Sequence, residues 1–370
     1  MTVKPRHGEV ADCNQRLQTI NETMKEKLDR IKSTLIKNVP GFVGTCAATV
    51  GIVALGATLR GEWLLILVHF LKQFGHLQSG SDIRLDATIN SNENSTNIGS
   101  NATDVPFLEQ YRLQGLQYVW MFSVLFTFLS YYGLGGVLQY TFYFKQKENS
   151  EDWKCQPNRW LTPALEKHEF TLGSINMLIG GSYSAVFATY LINGGRTKMY
   201  FDFGRYGIWW ELFALPALFM IQDATAYYLH STFHNVQFLY RWVHKWHHKY
   251  YAPTAFAAVA MHPVEFIMYQ FSLIAPILFI PIYSGSFLLC IMYVYYYGMI
   301  DHSGIMMSAF WPWQPHTIFH DDHHRYFHCN FGFNTYFFDW LHGSLRRKDR
   351  YYTEDTFGGK GAALLQQKKD

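Results

Sequence analysis

Charged residues are scarce in this chain. Only 16% of its 370 residues are Asp, Glu, Lys or Arg, and 49% are hydrophobic, whereas soluble proteins carry about 25% charged residues. This shortfall predicts an integral membrane protein. The net charge of +3 is too small to predict the extended basic surface that binds nucleic acid phosphates, so nucleic acid is not an expected partner.

Cysteines are also few. The five cysteines are scattered along the chain, and an odd number at irregular spacing gives no readable disulfide framework. Only Cys329 lies close to the histidine-rich part of the sequence, which argues against a cysteine-rich structural zinc site. The first 40 residues are polar and charged, so we expect no cleavable signal peptide and an uncleaved first apolar run.

Long runs with few charges set the expected topology. The runs are residues 41–59, 116–144, 170–193, 207–229 and 264–300. A spanning helix needs about 20 apolar residues, and the last run is long enough for two short spans joined near Pro276 and Pro281. We therefore predict an all-α integral membrane protein, with four to six spanning or hairpin helices and a cytosolic histidine-rich helical cap.

Composition divides the chain into four parts. They are a basic, amphipathic cytosolic N-terminus (1–40), a membrane anchor (41–207), a histidine-rich domain (208–346) and a cytosolic C-terminal tail (347–370). The anchor contains a predicted luminal loop at 75–115, whose sequons at Asn94 and Asn101 predict a glycoprotein. With this topology every histidine group lies on the cytosolic side and both sequons lie on the luminal side.

Ten of the 17 histidines form five groups. The groups are His230 and His234; His244, His247 and His248; His262; His302; and His320, His323 and His324. Residues three and four apart share a helix face, so the two His-x-x-His-His groups predict two helices that each aim three nitrogens at one point. Imidazole is a common ligand of Zn, Cu, Fe and Ni. Ten histidines are more ligands than one metal ion binds, so we predict a site with two metal ions.

Carboxylates are expected behind the histidines, because metal-bound imidazoles normally donate their second N–H to a carboxylate or a carbonyl. The candidates are Asp223, Glu265, Asp301, Asp321, Asp322 and Asp339. Asp223 lies two helical turns before His230 on the same face, late in an apolar run where a charge is usually functional. We therefore predict that it supports His230. Packing roles are predicted for His316, His328 and His342.

Together these segments resemble the fatty acid hydroxylase and sterol desaturase superfamily of membrane histidine-box proteins. The matching segments are Asp223 ahead of His230-x3-His234, His244-Lys245-Trp246-His247-His248, Ala252-Pro253, Met261-His262-Pro263-Val264-Glu265, His302-Ser303-Gly304, His320-Asp321-Asp322-His323-His324, Asn330-Phe331-Gly332 and Asp339-Trp340-Leu341-His342-Gly343-Ser344. They cover residues 208–346. The Leu-His-Gly-Ser ending is most similar to the C4-methylsterol oxidase branch, which includes the fatty acid hydroxylase domain-containing protein 2 group.

The resemblance implies a multi-pass, non-haem di-iron monooxygenase of the endoplasmic reticulum with a cytosolic active site. It implies that the ten histidines bind two iron ions, for which zinc can substitute in a purified sample. It also implies O₂ as oxidant, electrons from NAD(P)H through cytochrome b5 and its reductase, and a lipid substrate from the bilayer. The expected reaction is hydroxylation of a sterol C–H bond, at a C4 methyl group, in lipid biosynthesis.

Other functions remain open from the sequence. A fatty acid, sphingolipid or alkylglycerol hydroxylase, or a sterol desaturase, would use the same first hydrogen abstraction. A metal transporter would bury its ligands midway across the membrane and show paired repeats, whereas these histidines lie in polar segments such as 241–250. A binding protein with an idle metal site is a further alternative. The sequence carries no signal of oligomeric state.

Overall fold

The computed structural model describes residues 107–309 and 313–364. Its six main helices are α1 (Leu116–Leu138), α2 (Pro163–Ile192), α3 (Ile208–Asn235), α4 (Pro263–Ile274), α5 (Ser284–Asp301) and α6 (Thr317–Tyr326). Shorter helical segments are Phe107–Gln110, Gln139–Lys145, Lys147–Asn149, Ser150–Trp153, Gln237–Trp242, His244–Lys249, Ala257–Val259, Pro276–Phe279 and Phe337–His342. The strands Met199–Tyr200 and Ile282–Tyr283 pair in parallel, and Arg350–Tyr351 pairs antiparallel to Ala362–Ala363. The predicted all-α class is confirmed.

Three helical segments of the described chain are long and apolar enough to cross a membrane. They are Leu116–Lys145, Pro163–Ile192 and Ile208–Asn235, and Pro263–Phe279 is a shorter apolar segment. These segments coincide with predicted runs and confirm a membrane protein. The predicted amphipathic N-terminus (1–40), the run at 41–59 and the sequons at Asn94 and Asn101 lie outside the described residues.

Helix α2 begins before the apolar run that predicted it. The Thr162 side chain accepts a hydrogen bond from the Leu165 amide at 3.3 Å, and Pro163 occupies the first turn. Both are favoured at helix N-termini, where backbone N–H groups lack helical partners and the fixed φ of proline fits the helix. The helix therefore includes part of the polar segment that precedes the apolar run, and it contains buried polar groups.

Two of these groups, Glu169 and Asn176, hold the loop that joins the second and third histidine groups. The Glu169 carboxylate accepts from the Thr254 amide at 3.1 Å and from its hydroxyl at 2.7 Å. The Asn176 amide donates to the carbonyls of Val259 and Met261 at 2.7 and 2.8 Å. Buried polar groups are costly unless they are hydrogen-bonded, so these contacts fix the path of the loop.

The C-terminal end of α1 continues as the π-helical segment Gln139–Lys145. Such segments are uncommon and occur frequently near functional sites. The buried hydroxyl of Tyr143 lies 2.8 Å from the Pro253 carbonyl and 2.7 Å from the Ser303 carbonyl. Tyr143 therefore ties together two loops that follow different histidine groups.

A buried apolar cluster sits between four of the helices. It includes Leu191 of α2, Leu218 of α3, Leu273 of α4, and Phe287 and Ile291 of α5. Burial of such side chains is the main favourable contribution to folding. The cluster fixes α3 relative to α5. This positions His230 and His234, in the last two turns of α3, relative to His302, which directly follows α5.

Candidate metal centre

Five histidines converge in a first cluster. They are His230, His234, His244, His248 and His323, all buried, and one ligand atom from each lies within 4.8 Å of those of the others. His230 and His234 lie four residues apart on one face of α3, as their spacing predicts. The other three come from the segment His244–Lys249 and from α6.

Four more buried histidines form a second cluster by the same criterion of 4.8 Å. They are His247, His302, His320 and His324. The two clusters adjoin, because the ring centroids of His247 and His248 lie 5.8 Å apart and those of His323 and His324 lie 5.7 Å apart. The described chain thus offers two neighbouring sets of imidazole nitrogens.

The two His-x-x-His-His groups are each divided between the clusters, so the prediction that each aims three nitrogens at one point is wrong. His247 lies in the second cluster and His248 in the first; His323 lies in the first and His324 in the second. Successive helical side chains point about 100° apart, so neighbours diverge. In addition, His244–Lys249 is a 3₁₀ helix rather than an α-helix. Each group therefore joins the two clusters.

Hydrogen bonds behind the rings define which nitrogen faces inward. The Nδ1 atoms of His230, His247, His302 and His323 bond to the carbonyls of Phe331 (2.7 Å), Ala260 (3.1 Å), Gly298 (2.7 Å) and Cys329 (2.7 Å). A carbonyl oxygen only accepts, so each Nδ1 carries the hydrogen. The Nε2 lone pair is then free to bind a metal ion.

The inward nitrogens of the two clusters converge closely. Nε2 of His248 lies 3.1 Å from Nε2 of both His234 and His244, and those of His302 and His320 lie 2.8 Å apart. Burial is the main reason why the pKa of His244 is lowered to about 3. His244 is therefore uncharged at neutral pH and can offer a lone pair. Buried, neutral imidazoles with no thiolate among them suit transition-metal ions.

His324 is the clearest example of a clustered histidine that suits a metal ion. Both of its ring nitrogens are buried and have no hydrogen-bond partner among the described residues. Burial first, and then the neighbouring histidines, lower the pKa of His324 well below its usual value. An imidazole without partners is costly to bury, and a bound metal ion would remove that cost.

His262 stands apart from both clusters. Its Nδ1 accepts a hydrogen bond from the Val264 amide at 3.2 Å at the start of α4. Its ring centroid lies 4.7 Å from that of Trp246. His262 therefore belongs to neither set of converging nitrogens.

Glu265 and Asp301 contact clustered histidines. Oε1 of Glu265 lies 2.6 Å from Nδ1 of His244, and Oδ1 of Asp301 lies 2.5 Å from Nδ1 of His302. Both carboxylates are buried. These contacts have the geometry expected of partners that orient ligand imidazoles.

Asp223 and Asp339 are placed differently from the expectation. No hydrogen bond in the described chain joins Asp223 to a histidine; it accepts instead from the Asn334 amide at 3.1 Å and the Thr335 hydroxyl at 2.6 Å. Asp339 accepts from the amides of Phe331 and Gly332 at 2.8 and 2.6 Å. Since the Phe331 carbonyl accepts from His230, both aspartates support the ring through the loop 331–335.

Asp321 and Asp322 lie within α6 but point away from the clusters. Asp322 pairs with Arg346 at 3.1 Å. Asp321 is buried, and burial raises its pKa to about 7; Lys154 and Gln156 are among the neighbouring groups that affect this pKa.

The sequence pattern did not indicate two other features of the site. These are the backbone carbonyls that accept from the histidine rings and the contacts of Tyr143. Their positions depend on the tertiary path of the loops.

Replacing Glu265 with Gln should weaken metal binding in the first cluster, since the contact of its carboxyl group with Nδ1 of His244 is altered. Changes to such supporting partners typically reduce metal affinity by about 10- to 100-fold. A chelator titration of the purified protein measures the effect. Glu148→Gln, at an exposed position, is the control and should leave the titration unchanged. Equal affinity in both variants would contradict the assigned role of Glu265.

Replacing Asp339 with Asn should destabilise the loop 331–335. An amide cannot accept from both backbone donors as the carboxylate does, and hydrogen bonds to charged groups contribute about 1.5–3 kcal/mol. Thermal unfolding in detergent should show a lower midpoint than wild type, while the exposed variant Asp349→Asn should not. A midpoint equal to that of wild type would contradict the bonding described for Asp339.

The described part of the chain is an all-α membrane protein with two adjoining clusters of buried histidines. Residues 215–344 match the family model "Fatty acid hydroxylase". This part of the chain is therefore similar to the fatty acid hydroxylase and sterol desaturase superfamily. The resemblance that the histidine pattern indicated is thus confirmed over these residues.

Several relatives are sterol desaturases by name. The chain is 31% identical over 157 residues to a Delta(7)-sterol 5(6)-desaturase of Saccharomyces cerevisiae, covering 42% of each chain. It is 27% identical over 140 residues to one of Gibberella zeae (37% of this chain and 43% of the relative) and 28% identical over 160 residues to a putative Delta(7)-sterol-C5(6)-desaturase of Arabidopsis thaliana (42% and 56%). The matches thus span about half or less of these relatives. No solved structure matches the chain significantly.

Proposed function

We propose that this protein is a membrane-bound, non-haem di-iron oxidoreductase that uses O₂ to oxidise a C–H bond of a sterol. The observation that carries the proposal is the pair of adjoining, buried histidine clusters with inward-facing lone pairs. The membrane helices and the family match at 215–344 support a lipid substrate. The proposed catalytic domain, residues 208–346, contains all nine clustered histidines.

The proposed ligands divide by cluster. His230, His234, His244, His248 and His323 would hold one ion, and His247, His302, His320 and His324 would hold the other. When bound, the iron pair would supply the O₂ reduction and C–H oxidation chemistry. Glu265, Asp301 and the backbone carbonyls fix the ring orientations, which keeps the ligand geometry preorganised.

Phe333 covers the face shared by the clusters. Its ring stacks on His230 with a centroid distance of 4.8 Å and lies 5.5 Å from that of His320. Tyr269 contacts the other side of Phe333 at 5.7 Å. This aromatic wall would exclude water from the ions and present an apolar surface to a lipid.

The position of α3 bears on how a substrate would reach the site. The apolar helix α3 ends within the first cluster, so a substrate could reach the ions from the bilayer. We propose that the site faces the cytosol at the endoplasmic reticulum membrane and receives electrons from NAD(P)H through cytochrome b5 and its reductase. The flanking regions 1–40, 41–207 and 347–370 are proposed as the N-terminus, the anchor and the tail.

Two sterol reactions fit this proposal. The ending Leu341-His342-Gly343-Ser344 favours hydroxylation of a C4 methyl group, as in the branch that it resembles. The names of the matched relatives favour desaturation at C5(6). Both reactions begin with removal of a hydrogen atom from carbon, so the histidine ligands alone do not distinguish them.

Sterol and fatty acid profiling of a cell that lacks this protein would separate these reactions. Accumulated 4-methylsterols would support C4 oxidation, whereas accumulated sterols without the C5(6) double bond would support desaturation. Unchanged sterols with a loss of 2-hydroxy lipids would contradict the sterol proposal. A transporter would instead change cellular metal uptake, which we expect to stay constant in the null cell.

A further inference from the structure

His328 is a buried histidine outside both clusters, and it touches a proposed ligand. Its Nδ1 lies 3.1 Å from Nδ1 of His234, and its Nε2 lies 2.6 Å from the carbonyl oxygen of Glu354. The carbonyl only accepts, so Nε2 of His328 carries a hydrogen and Nδ1 accepts one from His234. This arrangement leaves Nε2 of His234 free for a metal ion and makes His328 the next ring outward.

His234 differs in this respect from the other clustered histidines. In five other clustered histidines, the ring nitrogen that faces away from the cluster also has a partner in the described structure. In each case that partner is a backbone carbonyl or a carboxylate. Behind His328, by contrast, lies Glu354, whose side chain is 37% exposed. His328 therefore links the first cluster to the protein surface through a second imidazole.

Aromatic rings fill the space around this link. The ring centroid of His328 lies 4.2 Å from that of Phe357 and 4.8 Å from that of Tyr240, and Tyr240 lies 5.4 Å from His234. Rings in contact and joined by hydrogen bonds couple an electron donor to an acceptor better than saturated side chains do. The arrangement suits electron transfer between the surface and the first cluster.

The surface at the outer end has a small excess of positive charge, since three basic side chains of residues 237–249 lie in the same region as the acidic Glu354 and Asp355. Residues 237–249 contain Arg241, Lys245 and Lys249 and no acidic residue, and the Lys245 ammonium lies 2.5 Å from the Glu354 carboxylate. Opposite charge steers protein encounters and fixes their orientation. This face therefore fits a partner whose own docking surface is acidic.

We propose that electrons enter the site through His328, from an acidic one-electron donor protein that docks beside Lys245 and Glu354. The proposal rests on the proposed function. In each step the reduced haem or flavin of the donor would lose one electron, and an oxidised iron ion held by the first cluster would gain it through His328 and His234. No covalent bond of the protein forms or breaks. His328 is thus a positioning and electron-relay residue, not a metal ligand.

The test is anaerobic stopped-flow reduction of the full-length, iron-loaded protein by the reduced haem domain of cytochrome b5, compared with reduction by dithionite. His328→Gln keeps both hydrogen bonds, because its amide can accept from His234 and donate to Glu354, but it removes the ring. We expect reduction by the haem domain to slow about tenfold or more. Metal content and reduction by dithionite should match wild type.

Controls separate this role from a structural one. His342→Gln removes an exposed histidine that stacks on Tyr227, and it should leave both reduction rates unchanged. If His328→Gln is reduced by the haem domain as fast as wild type, the relay is refuted. If it loses metal, or if both reductants slow equally, His328 only orients His234 and the proposal is also refuted. Wild-type protein that shows His328-dependent reduction but yields no oxidised lipid would refute the proposed function alone.

Discussion

The variant His323→Ala should retain one metal ion per chain instead of two and should lose nearly all of its activity. His323 is central to the first cluster, because its ring centroid lies 4.5 Å from that of His230 and 4.7 Å from those of both His234 and His248. Metal ions contribute several kcal/mol to catalysis, so activity should fall by about a thousandfold or more. Metal analysis and a lipid product assay measure the two effects.

The matched control for this prediction is His262→Ala. His262 belongs to the same sequence pattern but lies outside both clusters. It should keep both ions and its activity, apart from a modest loss of stability at the start of α4. A His323→Ala protein that still binds two ions, or a His262→Ala protein that loses one, would contradict the cluster assignment.

The variant Gly304→Ala should destabilise the protein near the second cluster. Gly304 has φ +67°, and an added Cβ would lie 2.3 Å from the Pro253 carbonyl oxygen and 2.5 Å from the Tyr143 hydroxyl. Left-handed backbone costs a residue with a side chain about 1–2 kcal/mol, and overpacking adds about 1–3 kcal/mol. For a chain of this size the unfolding midpoint should fall by about 3–6 °C, with metal loss from the cluster that contains His302.

Gly343→Ala separates the two causes. Gly343 has a similar φ of +71°, but an added Cβ there meets nothing within 4 Å. This variant should therefore show only the backbone cost of about 1–2 kcal/mol. If both variants lose the same stability, the close approach of Gly304 to Pro253 does not constrain the loop as described.

The sequence predicted the elements with strong local signals. Low charge and long apolar runs predicted α1, α2 and α3, because length and hydropathy alone determine whether a helix can span a membrane. The spacing of His230 and His234 predicted that they share a face. The superfamily followed from motifs that are specific in combination.

Other features depended on tertiary geometry and could not be read from spacing. The division of His247 and His248 between clusters follows from the direction of each side chain in a short 3₁₀ segment. Asp223 turned towards Asn334 rather than His230, because the loop 331–335 folds back onto α3. The role of His328 depends on contact with Glu354, which lies 26 residues further along the chain.

The central claim is that nine imidazoles in two adjoining clusters bind a pair of transition-metal ions. Metal quantification of anaerobically purified protein, combined with X-ray absorption spectroscopy at the iron edge, tests it most directly. We predict two iron ions per chain whose first shell contains imidazole nitrogen and no sulfur. Protein that is folded and membrane-inserted but binds no metal, or binds it through sulfur, would contradict the claim.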